Sequence, residues 1–565
     1  MKQQLIECVP NFSEGKDMTV INKITDEIRA SEGVELIDVD PGEATNRTVV
    51  TFVGTPDEVL EAAFKAVKMA KSLIDMRHHS GAHPRFGATD VCPLVPVSNI
   101  MMEETAAYAR KLAKRIGEEL DYPVYLYEKA ASVPERENLA NVRAGEYEAL
   151  KEKLTRPQWK PDYGPAQFVP ETGVTAVGAR NFLVAYNINL NTTSTRRANS
   201  VAFDVREKGR LKRDGDPITG KVVKDKNGNP LREPGMLKKV KAIGWYIEEF
   251  GIAQISMNLT DISVTSIHQA FEAVNENAQK RGLRVTGSEI VGVVPLKAML
   301  DAGKHFLKKQ NRSLGISDKE IIKIAIKSLG LDELYPFEPQ KKIIEYILAK
   351  GQKKGKSLAD MDLTTFVHET ASESPAPGGG SISAYMGAMG AALGTMVANL
   401  SSHKRGWDDR WEEFSRWAEQ GKEYHDRLLA MVDKDTEAFN KIMESVKMPK
   451  NTPEDKAARN KAMQEATKNA IAVPFEVMKL CYDSMEVMKG MAEKGNPNSV
   501  SDTGVGALAA VAGIRGAYLN VQINVEGLED KKYVDKVLKE GQQLVNQAME
   551  KEKEILNTVD RVINR

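Results

Sequence analysis

The hydrophobic period of this chain changes once, at the segment GQKKGKS (351–357), and that change limits the folds open to it. Before the segment, short alternating apolar runs are interleaved with stretches whose apolar residues recur every three to four positions, which is the mark of strands and helices in turn. Beyond it the helical period continues without strands. In the first part the pattern predicts strands over 5–9, 34–39, 48–53, 91–97 and 124–127, and helices over 18–30, 57–73 and 103–120. Their core order is β-α-β-β-α-β, the ferredoxin-like split arrangement. The order begins again at Phe182, with strands over 182–190, 242–248, 253–259 and 289–294 and helices over 197–206 and 266–281. Past the linker, helices are predicted over 360–372, 381–400, 408–446, 453–489, 502–517 and 530–562, as in an antiparallel bundle. The expected fold is therefore an α/β (α+β) N-terminal half of two ferredoxin-like βαββαβ subdomains followed by an all-α helix-bundle domain. The domains are set at 1–181, 182–330, a linker over 331–357, and 358–565.

Three or four domains also suit the length of 565 residues. Lys+Arg and Asp+Glu are both 79, so no global basic field points to nucleic acid. The three cysteines, Cys8, Cys92 and Cys481, are far apart, odd in number and without a CxxC pair. That pattern fits reduced thiols in the cytoplasm and no disulfide or zinc framework. The apolar run at the N-terminus is too short for a signal peptide. Residues 374–402 carry no charge and are long enough to span a bilayer. Their Gly, Ala and Ser content, and the Pro375 and Gly378–Gly379–Gly380 start, predict instead a tightly packed interior helix, with no membrane span.

Three of eight histidines, His78, His79 and His83, fall within MRHHSGAHPRFGATDVCP (76–93). Pro84 holds His83 out of the helical basin, which suits a ring presented to a ligand; a solvated loop is the plain alternative. The H-H-x-x-x-H spacing lacks a nearby carboxylate and matches no zinc site, so no metal is expected. The Pro- and Gly-dense segment 161–173 carries Phe168 and reads either as a connector or as a loop whose amides approach a planar ring. The charged insertion over 209–234 contains Asn227-Gly228, a hairpin-turn signal, and reads as a solvated face.

In the helix near Leu428, the apolar positions Leu428, Val432, Phe439, Ile442 and Val446 leave a gap of seven that Asp435 fills. Asp435 thus lies on the apolar stripe and Asp433 on its flank. A carboxylate there either has a salt-bridge partner or has its proton affinity raised by desolvation. Ser381, after Gly378, Gly379 and Gly380, is expected to cap a helix whose free amides suit an anionic or carbonyl group. Asp502 reads as a second N-cap, with a ligand role open.

Taken together, the blocks VPNFSEG (9–15), DVDPGEATNRTVVTFVG (38–54), GAHPRFGATDVCPLVPV (81–97), GPAQFVPETG (164–173), NINL (187–190) and LKKVKAIGW (237–245) resemble the formiminotransferase–cyclodeaminase family. So do SPAPGGGS (374–381), MGAALG (389–394), VDKDTEAF (432–439), KNTPEDK (450–456) and GAYLNVQIN (516–524). The resemblance runs nearly end to end. It implies transfer of a formimino group from formiminoglutamate to tetrahydrofolate by the first half and closure to methenyltetrahydrofolate, with loss of ammonia, by the second. It implies tetrahydrofolate, polyglutamated, as co-substrate, small-molecule partners, and a homo-oligomer. His83 matches the family's transferase histidine. Gly164, Pro165, Ala166, Gln167, Phe168, Val169, Pro170, Glu171, Thr172 and Gly173 match its folate loop, and Asp435 its cyclodeaminase aspartate. Gly378, Gly379, Gly380, Ser381 and Asp502 are further folate-binding candidates. Asp40 is a candidate to orient the His83 ring, and Arg47 or Arg85 to bind a substrate carboxylate in forked geometry. The insertion over 209–234 is longer than in the animal pattern. Rival readings are a formylglutamate-using transferase with a cyclohydrolase domain, and a folate-binding scaffold without turnover.

Overall fold

The ferredoxin-like order occurs twice in the computed structural model, which describes residues 4–43, 46–81, 85–215, 220–351 and 357–565. His83 lies outside these residues. The first set comprises β1 (Leu5–Cys8), β2 (Asn11–Phe12), α1 (Met18–Arg29), β3 (Val34–Gly42), β4 (Arg47–Gly54), α2 (Pro56–Leu73) and β5 (Thr89–Ser98), followed by α3 (Met102–Glu119) and β6 (Val124–Glu128). After two short helical turns, α4 (Leu139–Val142) and α5 (Leu150–Lys153), comes β7 (Thr175–Ala179). β1 and β2 are successive pieces of one strand path between β4 and β5, and β3 pairs with β4. β7 then lies parallel to both β5 and β6, widening the sheet to seven strands.

Sequence reasoning missed β7. Its TAVGA segment is buried at every position, so it shows none of the apolar–polar alternation that reveals a half-buried strand. Local chemistry explains the helices. Asp17 caps α1 by accepting from the Thr19 amide, and α2 starts on Pro56 with Asp57 and Glu58 in its first turn. The buried face of α2, with Val59, Ala63, Ala66, Val67 and Ala70, packs on the sheet in the core shared with Phe12, Phe52 and Leu94. Side chains of Val to Phe size contribute roughly 1.5–3 kcal/mol each when so buried.

The second set is β8 (Val184–Leu190), α6 (Thr195–Val205), β13 (Val240–Ile247), β14 (Ile252–Leu259), α7 (Ile267–Gln279) and β15 (Val285–Val291), with strand order β13-β14-β8-β15. The insertion forms β9 (Arg210–Leu211), β10 (Arg213–Asp214), β11 (Lys221–Val222) and β12 (Arg232–Glu233). At its predicted turn, the Asp225 carboxylate accepts from the Asn227 and Asn229 amides, and Gly228 takes a positive φ.

Helices α8 (Leu296–Lys309), α9 (Asp318–Leu329), α10 (Pro339–Lys342) and α11 (Ile344–Gly351) follow. The chain divides into two compact units, 1–302 with 326–352 and 303–325 with 353–565. The second is all helical: α12 (Leu363–Thr370), α13 (Gly379–Ser402), α14 (Trp411–Lys447), α15 (Pro453–Lys494), α16 (Val500–Asn524) and α17 (Lys531–Ile563). The uncharged segment is α13, packed against α14, α15 and α16. Its small residues let backbones meet; a Cβ on Gly390 would lie 2.6 Å from the Gly506 carbonyl oxygen. α13 and the 497–527 stretch are long and apolar enough to cross a membrane, but 61% and 56% of their apolar windows are buried within the protein.

Candidate active sites

The loop over 164–173 and the histidine loop are stitched together. The Met76 amide donates to the Glu171 carbonyl at 2.8 Å, the Ala88 amide to Thr172 at 2.8 Å, and the Val174 amide to Phe86 at 3.1 Å. The buried Tyr122 hydroxyl accepts from the Thr89 amide and donates to the Thr172 carbonyl, both at 3.1 Å. Gly173 sits at φ +65°, and a Cβ there would be 2.4 Å from the Phe86 carbonyl oxygen, so the close approach requires glycine. Phe168 is half-buried, edge-on to Tyr147 with centroids 5.4 Å apart, and the Tyr147 hydroxyl donates to the Pro170 carbonyl. Ala166 and Gln167 remain exposed at the tip. The two sequence blocks singled out for folate chemistry thus share one corner of the first unit.

Within the histidine loop the two described rings have different surroundings. The His78 side chain is 82% exposed. His79 is buried, with Nε2 at 2.7 Å from the Asn46 carbonyl oxygen. Asn46 is held in the left-handed region, accepts from the Gly15 amide and donates to the Ser80 carbonyl; it joins the NFSEG segment, β4 and the histidine loop. The position of His83, the histidine expected from the sequence to carry the transfer, falls outside the described residues.

Asp40 and Arg85 each have a structural reading. Asp40 is exposed on β3, the outermost strand on its side of the sheet, with no hydrogen bond or ion pair among the described residues. Charges and prolines such as Asp38, Asp40 and Pro41 guard an edge strand against pairing with another chain. The buried carboxylate of the region is Asp90, 1% exposed, ion-paired to Arg143 and 3.8 Å from Arg47. Arg47 also donates to the Asn11 side-chain oxygen. Burial pulls the Arg47 guanidinium below its ordinary range, Asp90 opposes that pull, and Arg143 reinforces it. Arg85, expected as a free fork, donates to the Met76 and His79 carbonyls and to Glu148, and lies 4.3 Å over the Tyr147 ring. In this arrangement it props the loop.

In the helical unit, Asp435 on α14 presses on the start of α13. A Cβ on Gly380 would sit 2.1 Å from Asp435 Oδ1, so only glycine admits the carboxylate there. The Ser381 hydroxyl lies 3.1 Å from Asp435 Oδ2 and 2.9 Å from the Val432 carbonyl. Desolvation raises the proton affinity of Asp435 above its ordinary range, against the hydrogen bonds from Ser381. No salt-bridge partner for it occurs among the described residues. Asp433 instead accepts from the Ser357 hydroxyl and the Leu358 amide, both at 2.7 Å, anchoring the chain that leads into the bundle.

Ser381 is not the N-cap. α13 starts at Gly379 with Gly378 as its cap, and the fully buried Ser381 reaches across to α14. Asp502 is not a cap either, since α16 starts at Val500 after Ser499. The α13–α16 contacts pair Gly379 with Asn520 and Gly390 with Gly506. At 1.5 Å per residue, Asp502 lies roughly 27 Å along α16 from Asn520, so within one chain it is remote from Asp435. The contact of Asn520 with Gly379, and the cluster of Asn11, Asp90 and Arg143 with Arg47, were not foreseen from the sequence. Asp90 stood inside a quoted block as an acid in an otherwise apolar strand, which was its available signal. Among the described residues no cluster of three or more His, Cys, Asp or Glu side chains is placed to hold a metal.

Two α/β sheets with a stitched loop pair are thus followed by a helical bundle with a desolvated acid at a helix start. Family comparisons agree along the chain: residues 5–180 match the formiminotransferase domain, N-terminal subdomain, residues 185–349 the formiminotransferase domain, and residues 362–543 formiminotransferase-cyclodeaminase. The chain is 44% identical to the chicken (Gallus gallus) formimidoyltransferase-cyclodeaminase over 551 residues, covering 98% of this chain and 97% of that one. It is 40% identical to a Streptococcus pyogenes glutamate formimidoyltransferase over 308 residues, 54% of this chain and 95% of that one. It is 39% identical to a Methylorubrum extorquens methenyltetrahydrofolate cyclohydrolase over 202 residues, 36% of this chain and 97% of that one. The chain belongs to the formimidoyltransferase-cyclodeaminase family.

Proposed function

We propose that His83 and Asp435 divide the two reactions of a bifunctional folate enzyme of histidine degradation between them. The first half transfers the formimino group from N-formimino-L-glutamate to tetrahydrofolate. The second cyclises formiminotetrahydrofolate to methenyltetrahydrofolate and releases ammonia. The observation that carries the assignment of the second site is the Asp435 carboxylate, desolvated against Gly380 with its proton affinity raised.

Formimino transfer is addition and elimination at an amidine carbon. The attacking folate amine loses a proton and the departing glutamate amine gains one. A histidine titrating near neutrality serves both steps, and we assign this to His83, with His78 solvated and His79 bonded to Asn46. The loop over 164–173, its tip exposed and its base fixed to the histidine loop, is the proposed folate cradle. In the second reaction the other folate nitrogen attacks the same carbon, the new C–N bond forms, and the carbon–nitrogen bond to the leaving group breaks. A carboxylic acid that holds its proton unusually well protonates the leaving nitrogen, which departs as ammonia. Asp435 is that acid, and the amides at the start of α13 are placed to hold a polar group of the substrate.

His83→Ala should lose transfer by about 10²–10⁴-fold yet cyclise supplied formiminotetrahydrofolate; equal loss of both activities contradicts the division. Asp435→Asn should do the reverse. The similarity of part of the chain to a cyclohydrolase favours a second reading in which the bundle acts as a cyclohydrolase, and formylglutamate would then be the donor. Ammonia released with formiminoglutamate but not with formylglutamate decides for the first. The proposal extends to a polyglutamated folate, tested by a lower KM for a pentaglutamyl than a monoglutamyl substrate, and to the cytoplasm, in keeping with three buried thiols. It extends also to a homo-oligomer. Leu519 and Ile523 on α16 are 66% and 71% exposed, apolar surface that a second copy would cover; light scattering of the purified protein checks this.

A further inference from the structure

The described part of the insertion over 209–234 lies against one face of α6 and lines with it a cavity of about 320 Å³ that contains none of the residues assigned to either reaction. Arg196, Asn199, Ser200 and Phe203 recur at helical spacing on that face, and Arg206, Arg210, Arg213 and Arg232 complete the lining. β9 and β12 pair so that Arg232 stands opposite Leu211, and β10 pairs with β11 through Arg213 and Val222. Asp204 is already shared by Arg210 and Arg281, while Glu207, Asp214 and Glu233, next in sequence to lining arginines, form no ion pair with them among the described residues. Among the described residues, Arg196, Arg206, Arg213 and Arg232 have no carboxylate partner. Arg206 and Arg213 donate only to backbone carbonyls, of Gly209, Ala242 and Gly220. The Arg206 guanidinium is also stacked 4.0 Å over Phe203. The Nε of Arg210 is buried without an acceptor.

We propose that this cavity is a binding site for a multivalent oxyanion, an anion with two or more phosphate or carboxylate groups. Four guanidinium groups left without counter-charge repel one another, and an anion of matching charge relieves that repulsion while taking forked hydrogen bonds. The depressed proton affinity of Arg206, caused first by burial and then by Arg232, is in keeping with that crowding. A loop that merely shields α6 has no need for arginine at every turn toward the cavity. The Asn227-Gly228 turn holds Arg213 and Arg232 in place by closing the hairpin between them.

The test is calorimetric titration of the full-length protein with inorganic pyrophosphate and, separately, with citrate, at low and moderate salt. The expected result is saturable binding of one anion per chain that weakens with salt and falls at least about tenfold in the double variant Arg213→Ala with Arg232→Ala. The single variant Arg196→Ala, at an exposed helix position, should also weaken it and guards against a folding defect in the double variant. Binding of pyrophosphate alone assigns a phosphate ligand, binding of citrate alone a polycarboxylate, and binding of both a general oxyanion site. Binding of neither, or binding unmoved by these variants, overturns the proposal.

Discussion

A carboxylate that touches a glycine Cα is a sensitive arrangement. In Gly380→Ala the new methyl group would collide with Asp435 Oδ1. The end of a side chain can swing away at small cost, so the fold should survive while the acid is displaced. The expected outcome is near-normal formimino transfer with cyclisation lowered at least tenfold, read by ammonia release. Glu7 offers a pH test. It is 5% exposed, and burial pushes its proton affinity up to about 7 despite Arg180. Its proton is held more tightly folded than unfolded, so the stability it contributes is complete below pH 4.5 and is lost as pH rises through about 7. Glu7→Gln should therefore be more stable than the parent by up to about 3 kcal/mol at pH 8 and equal at pH 4, measured by denaturant unfolding. Asp435 was legible because helical period alone puts it on the apolar stripe. The role of Asp433 was not, because its partners Ser357 and Leu358 lie some 75 residues away.

Among the elements, strands and helices with one buried face announced themselves, and each of those predicted is present, although α15 runs on to Lys494 and α16 to Asn524, five and seven residues beyond their predicted ends. β7 did not, being buried on both faces. The buried polar cluster of Asn11, Arg47, Asp90 and Arg143 was likewise hidden, since it joins β2, β4, β5 and the end of α4, residues whose meeting depends on sheet order and not on local pattern. Asp90→Asn removes the buried counter-charge of two guanidinium groups. It should cost about 3–5 kcal/mol, seen as a lower unfolding midpoint that adding salt only partly restores. The helix starts misled in one way: Ser381 and Asp502 have cap chemistry, but the residues that cap α13 and α16 are Gly378 and Ser499, each three positions earlier. A single turn's offset turned Ser381 from a cap into a partner of Asp435.

For the whole molecule, the Lys/Gly-rich segment marked the start of the main bundle helices, although the last strand, β15, ends at Val291 and α8 to α11 precede that segment, and the element order revealed two like halves before it. What period does not show is that 303–325 pack with the bundle and 326–352 with the sheets; the Leu314 amide donating to the Ser415 hydroxyl at 3.0 Å is one such tie. The relatives that match only 54% or 36% of the chain cover nearly their own full length, in keeping with two separable activities. The most direct measurement follows the ultraviolet band of the methenyl product from formiminoglutamate and tetrahydrofolate with His83→Ala alone, Asp435→Asn alone, and the two proteins mixed. Neither variant alone should raise the band, and the mixture should raise it; a silent mixture, or a band from either variant at the parent rate, contradicts the assignment of one proton carrier to each half.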